Sequence, residues 1–196
     1  MLSNPLLAET LASKLQFKDI FVESAQKKLH QVKKSFKKSK KETVFVGVHS
    51  RRTDHLDFQQ KKLSVTPLKP SYYLDAIELF RKKFPAKKYN LAFIYVSDDL
   101  NWGKFNIGNK KGGKNVFFIG EESEEMAPFD LALLANCNHT IQSYGSYTYY
   151  AGFFAGGYKI LPEHFKEYWQ PHTYKPPSLD PFRNPIPRLH FVSKLS

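Results

Sequence analysis

Five short apolar runs, set apart by stretches long enough to hold helices, constrain this 196-residue chain more than anything else in it. The clearest is Val44-Phe45-Val46-Gly47-Val48. A strand that covers one sheet face alternates apolar and polar residues, whereas a strand apolar throughout is buried on both faces. Strands are therefore predicted at 43–49, 91–96, 115–119, 139–142 and 159–161. Between them the period changes. Phe21, Ala25, Leu29, Val32 and Phe36 recur at helical spacing and predict an amphipathic helix over 18–37. Ser71 reads as the N-cap of a helix over 72–84 with Tyr73, Ile77 and Phe80 inward. Asp98 and Asp99 open a short helix, Pro128 precedes one over 129–137, and Gly156-Gly157 stops one over 147–155. Residues 56–70, with Pro67 and Pro70, read as a loop. Strands alternating with helices predict an α/β fold, a parallel three-layer Rossmann-like sheet.

Size and cysteine usage bound the chemistry. A chain of this length buries one sizeable core. Cys137 is the single cysteine, so no internal disulfide forms and no redox pair or zinc site is present; it reads as a small buried residue late in a helix. Net charge is +12, unevenly spread, since residues 27–41 hold eight lysines and no acid. Such a segment binds nucleic acid, acidic lipid or an anionic glycan, or is a solvated face. The aromatic residues do not alternate with the lysines as a stacking platform requires. No stretch approaches the roughly 20 apolar residues of a membrane span, and the first residues lack a signal-peptide pattern.

The residues that suggest chemistry sit at strand ends. The run at 43–49 leads into His49-Ser50-Arg51-Arg52-Thr53-Asp54. Strand ends in open α/β sheets are where ligands bind, and paired guanidiniums suit a bidentate grip on phosphate. The alternative for Arg51 and Arg52 is surface pairing with Asp54 and Asp57. Asp98-Asp99 reads as helix capping or as a carboxylate pair for a metal. Tyr144-Gly145-Ser146-Tyr147-Thr148 is a strand-to-helix turn. Backbone N–H groups at a helix start attract phosphate, and the Ser146 and Thr148 hydroxyls add donors, with N-capping by Ser146 the plainer duty. Asn138-His139-Thr140 fits the glycan acceptor pattern, but its place between an apolar helix and a strand suggests burial. The Lys110-Lys111-Gly112-Gly113-Lys114 loop is no phosphate loop, because no Ser or Thr follows the lysine where one is needed.

Three blocks in order carry a resemblance: His49-Ser50-Arg51-Arg52-Thr53-Asp54, then Tyr95-Val96-Ser97-Asp98-Asp99, then Asp130 through Cys137-Asn138-His139-Thr140-Ile141 to Gly145-Ser146-Tyr147 and Gly156-Gly157. From about Phe17 to Leu161 the chain resembles the galactoside α-1,2-fucosyltransferases, departing from their commoner pattern at Ser50, Thr53 and His55. The resemblance implies the nucleotide-sugar-binding lobe of a glycosyltransferase B-like fold. It divides the chain into a basic helical segment over 1–42, a GDP-fucose-binding α/β domain over 43–168 and a Pro-rich tail over 169–196. It also implies an inverting transfer from GDP-β-L-fucose to the 2-hydroxyl of a terminal β-galactose on a glycan, with no metal and no other cofactor.

By the same resemblance Arg51 reaches the β-phosphate of the donor, and Arg52 does the same or holds the loop. His49 seats the nucleotide, and Asp130 accepts hydrogen bonds from guanine or is a simple first-turn acid. Gly145, Ser146, Tyr147 and Thr148 complete the donor site, and Asp54 steadies the loop or serves as base. The family is typically anchored in the Golgi membrane, facing the lumen, through an N-terminal segment that this chain lacks, which suggests a truncated product. Two rivals stand beside this reading: an incomplete or inactive GDP-binding lobe, and a basic nucleic-acid-binding module built on residues 27–41.

Overall fold

Nine consecutive residues, Glu42–Ser50, form the central strand β1, and every residue from Val46 to Ser50 is buried. The computed structural model describes residues 16–63, 66–120 and 124–162. β1 pairs in parallel with β2 (Tyr89–Ser97) on one side and β4 (His139–Ile141) on the other. β3 (Val116–Phe118) flanks β2 and β5 (Lys159–Ile160) flanks β4, so the order is β3-β2-β1-β4-β5 with every pair parallel. This is the parallel α/β sheet expected from the apolar runs.

Helices cover both faces. On one, α3 (Pro70–Lys83) sets Tyr73, Ile77 and Phe80 against Val44, Val46 and Val48 of β1 and Leu91, Phe93 and Tyr95 of β2. The short α4 (Leu100–Gly103) runs into a π turn, Lys104–Gly108, whose Ile107 joins the same core. On the other face lie α1 (Asp19–Lys34) and α5 (Ala127–Ala135), with Ala151 of α6 (Ser146–Ala155) beside them. Ala25, Leu29 and Val32 of α1 pack with Ala92, Ile94 and Val96 of β2, so the lysine-rich helix is amphipathic and its apolar stripe completes the sheet's second layer. α5 packs closely over Gly47, since a Cβ there would lie 2.9 Å from Leu134. Cys137 is fully buried just past α5, as its residue type suggested.

Several local expectations are corrected. Residues 56–70 are not all loop, because Thr53–Leu63 forms α2. Ser71 does not cap α3: the helix begins one residue earlier at Pro70, whose fixed φ and missing N–H suit the first turn, and Lys69 precedes it without a side-chain cap. Asn115 turns at φ 60°, so β3 starts at Val116. Gly156, at φ 79°, ends α6 as expected. Asn138 accepts from the Phe45 N–H (2.9 Å) and Thr140 is buried in β4, so the glycan acceptor triplet is built into the sheet. The Pro-rich tail lies outside the described residues. No helix among those described is long and apolar enough to cross a membrane.

Candidate functional site

The strand order fixes where a ligand fits. From β1 the chain moves outward through α2 and α3 to β2, then β3, on one side. It then returns over the opposite face through α5 to β4 and β5 on the other. The C-terminal ends of β1 and β4 therefore diverge, and in open α/β sheets ligands occupy the crevice at such a reversal. β1 ends in His49 and Ser50 and leads into Arg51 and Arg52; β4 leads into Gln142, Ser143, Tyr144 and Gly145.

His49 spans the two strands. Its Nδ1 lies 2.9 Å from Ser143 Oγ and its ring lies 5.0 Å from that of Tyr147. It is 7 % exposed, and its pKa is pushed down to about 4, first by burial. The imidazole is thus neutral at pH 7. The unfolded chain binds a proton below about pH 6.5 that the folded chain refuses until about pH 4. Stability therefore falls as pH drops through that window and is level above it, with about 3 kcal/mol at stake for a shift of this size. His55 is shifted in the same direction, also first by burial. Urea unfolding between pH 4.5 and 7.5 checks this: the His49→Asn variant is expected to lose most of the slope, and an unchanged slope would remove His49 as its source.

The two adjacent arginines separate. Arg52 stacks its guanidinium 3.9 Å over the Trp102 ring and donates through Nη1 to the Leu68 carbonyl (3.2 Å), so it holds the loop. Arg51 stays about one-third exposed, with Nη2 2.7 Å from Asp54 and Nη1 3.3 Å from Asp98. Asp57 pairs with Lys61 and not with either arginine. Asp54 is largely exposed (73 %).

Asp98 and Asp99 also divide their duties. Asp99 caps its own helix by accepting from the Trp102 N–H (2.8 Å). Asp98 crosses from the end of β2 to the start of α2, accepting from the backbone N–H of Arg52 (2.7 Å) and of Thr53 (3.1 Å) and from the Thr53 hydroxyl (2.5 Å). It therefore caps a helix that lies 45 residues earlier in the chain and flanks the Arg51 guanidinium at the same time. The sequence displayed the carboxylate but not its target. Ser143 and Tyr72, whose hydroxyl donates to the Gln142 carbonyl (2.7 Å), were likewise not singled out; neither carries a local signal.

At the start of α6, Gly145 is the N-cap residue at φ 117°, ψ 159°, a conformation open essentially to glycine alone. Ser146 is exposed and makes no cap bond, so the expected side-chain capping does not occur. Thr148 is fully buried, and among the described residues its hydroxyl oxygen has no hydrogen-bond partner. Tyr147 donates to the Ala127 carbonyl (2.7 Å), which ties α6 to α5. Its phenol pKa is raised, first by burial, then by the Asp130 carboxylate, with Arg51 opposing. Tyr147 thus lies within electrostatic reach of both Asp130 and Arg51. Asp130, in the first turn of α5, is 5 % exposed, and its carboxylate fills the space beside Gly120, where a Cβ would sit 3.0 Å from Oδ2. A guanidinium about one-third exposed, a neutral buried imidazole and a helix start whose first N–H groups have no intrahelical acceptor are together suited to an anion attached to a planar polar group. Among the described residues, no group of three or more His, Cys, Asp or Glu side chains is arranged to hold a metal ion.

Residues 6–171 match the family model described as glycosyl transferase family 11. The chain is 31 % identical over 159 residues to galactoside alpha-(1,2)-fucosyltransferase 1 of Saimiri sciureus, and equally to that of Sus scrofa; the match covers 81 % of this chain and 42 % of each relative. The chain thus aligns with under half the length of these relatives. No solved structure matches it. With the motif blocks, the parallel sheet and a family match over most of its residues, the chain belongs to glycosyl transferase family 11.

Proposed function

We propose that this chain carries the donor half of a fucosyl-transfer site: it binds GDP-β-L-fucose for transfer to the 2-hydroxyl of a terminal β-galactose, with inversion. The observation that carries the reading is the placement of Arg51 at the strand-order reversal, just past the end of β1 and within electrostatic reach of Tyr147 in the first turn of α6. In the reaction the bond from the fucose anomeric carbon to the β-phosphate oxygen breaks, and its electron pair leaves with GDP. The galactose 2-oxygen bonds to that carbon from the opposite side and gives up its proton to a base, for which Asp54, exposed beside Arg51, is the candidate.

Charge grows on the leaving diphosphate as the bond breaks, so a fixed planar donor there stabilises the transition state more than the bound donor. Arg51 takes that role, with the α6 N-terminal N–H groups adding positive potential. His49, neutral and held by Ser143, packs against the nucleotide, and Asp130 accepts from the guanine edge. Metal independence goes with the reading, because Asp98 spends both its oxygens, and Asp99 one of its own, on backbone N–H groups. A Golgi lumenal setting and a galactose-terminated glycan acceptor follow from the fucosyltransferases it resembles.

Calorimetric titration with GDP, with UDP as control and a chelator present, tests the reading. Selective GDP binding is expected, and Arg51→Ala is expected to weaken it roughly thirtyfold or more, the scale of a lost charge-assisted hydrogen-bond pair. Equal binding of GDP and UDP would sink the guanine assignment. Full affinity in Arg51→Ala would sink the assignment of the phosphate to that residue.

A further inference from the structure

The end of the sheet opposite the candidate donor site is a lysine field assembled from two distant segments. α1 and α3 both finish at the N-terminal edge of the strands, and the chain after each helix stays there. Residues 37–41 hold four lysines and residues 82–88 another four, every one exposed, and neither segment contains an acid. The two segments are locked side by side: Lys41 Nζ donates to the Ala86 carbonyl (2.7 Å), Asn90 Nδ2 donates to the Lys41 carbonyl (3.1 Å), and Glu42 pairs with Tyr89 where β1 and β2 begin.

Helix C-termini favour lysine in their last turn. That accounts for Lys82 and Lys83 but not for the lysines beyond the helix ends at 37–41 and 87–88. Glu42, at the start of β1, is the acid next to the field, while Asp54, Asp98 and Asp99 lie toward the other end.

We infer that this edge is a docking surface for a linear sulfated glycan. Its chemistry is that of many point charges: lysine ammonium groups attract sulfate without the planar pairing that arginine would impose. None of the exposed large apolar residues, Ile20, Phe58, Phe105 and Tyr150, lies in the two segments. The surface therefore lacks the apolar anchors with which a protein enters a membrane interface and the aromatic platform on which single-stranded bases stack. The choice of glycan over other polyanions rests on the glycosyl-transfer reading above. Because the field sits at the far end of the strands, a glycan chain held there leaves the donor crevice open.

The full chain is titrated with heparin as the sulfated probe, and in parallel with duplex DNA and with phosphatidylserine vesicles. The comparison protein is the quadruple variant Lys37→Glu, Lys38→Glu, Lys87→Glu, Lys88→Glu, which leaves the bonded Lys41 and the Lys83 stacked on Tyr158 in place. Heparin binding is expected to fall at least about tenfold between roughly 50 and 200 mM salt, as counterion release requires, and to be lost in the variant while its melting temperature and GDP affinity hold. Absence of heparin binding, its persistence in the variant, or tighter binding of DNA or vesicles through the same lysines would overturn the inference. GDP binding is read separately, so a failed donor site and a failed lysine field give different results.

Discussion

The Asp98→Ala variant is expected to lose about 3 kcal/mol of stability and to bind GDP roughly tenfold more weakly. The first figure combines a lost helix cap with a lost charge-assisted bond, and the second reflects a loosened phosphate-binding group. One carboxylate, 16 % exposed, accepts from two backbone N–H groups and a hydroxyl at the start of α2 and sits 3.3 Å from Arg51. Its removal leaves those donors without their acceptor and frees Arg51 to swing toward Asp54 alone. Asp98→Asn separates the two duties. Asparagine carries no charge and a single amide oxygen, so it can accept at one of the two backbone N–H groups while its NH2 faces the other donor; only part of the stability should return, and the electrostatic hold on Arg51 should not. Chemical denaturation and GDP titration on the three proteins read both effects. An alanine variant as stable as the parent would mean that α2 stands without this cap.

Gly157→Ala is expected to cost about 3 kcal/mol, the upper end of what forcing atoms into a packed region costs. A Cβ at Gly157 would lie 1.9 Å from the Asn138 carbonyl oxygen and 2.3 Å from His139 Nδ1. The first is backbone and cannot swing aside. The second accepts the Tyr158 N–H (3.1 Å), and the Thr140 N–H bonds the Tyr158 carbonyl (3.0 Å), so relief of the clash separates β5 from β4. Gly156→Ala is the comparator. There the strain is the left-handed backbone at φ 79°, which costs an L-residue about 1–2 kcal/mol. Urea unfolding should rank Gly157→Ala as the more damaging of the two; the reverse order would make helix termination the main duty of the pair. The sequence presented both glycines as one helix stop, and the contact of the second with β4 became visible only once the strands were neighbours.

The candidate site was legible to an uneven degree. Arg51, His49 and the turn at Gly145 could be read because each sits where an apolar run ends, and strand ends are where α/β sheets place polar side chains. The division of labour between the two arginines could not, because it depends on Trp102 and Leu68 approaching Arg52 from other parts of the chain. The complete burial of Thr148 was equally hidden, since helical period gives a face only once the helix is docked.

Local physics accounts for what the sequence determined alone: unbroken apolar runs require strands covered on both faces, and the 3.6-residue recurrence of Ala25, Leu29 and Val32 requires a helix with one buried stripe. α2 was missed because its residues, Thr53 to Leu63, carry only a weak apolar pattern and its N-terminal donors are met by a carboxylate on another strand. Tertiary structure decided the strand order, and with it the crevice between β1 and β4, the reach of Asp98 to α2 and the meeting of two lysine segments at one edge. Hydrophobic period states which face of an element is buried but not which element lies beside it, and each of these features is a relation between neighbours.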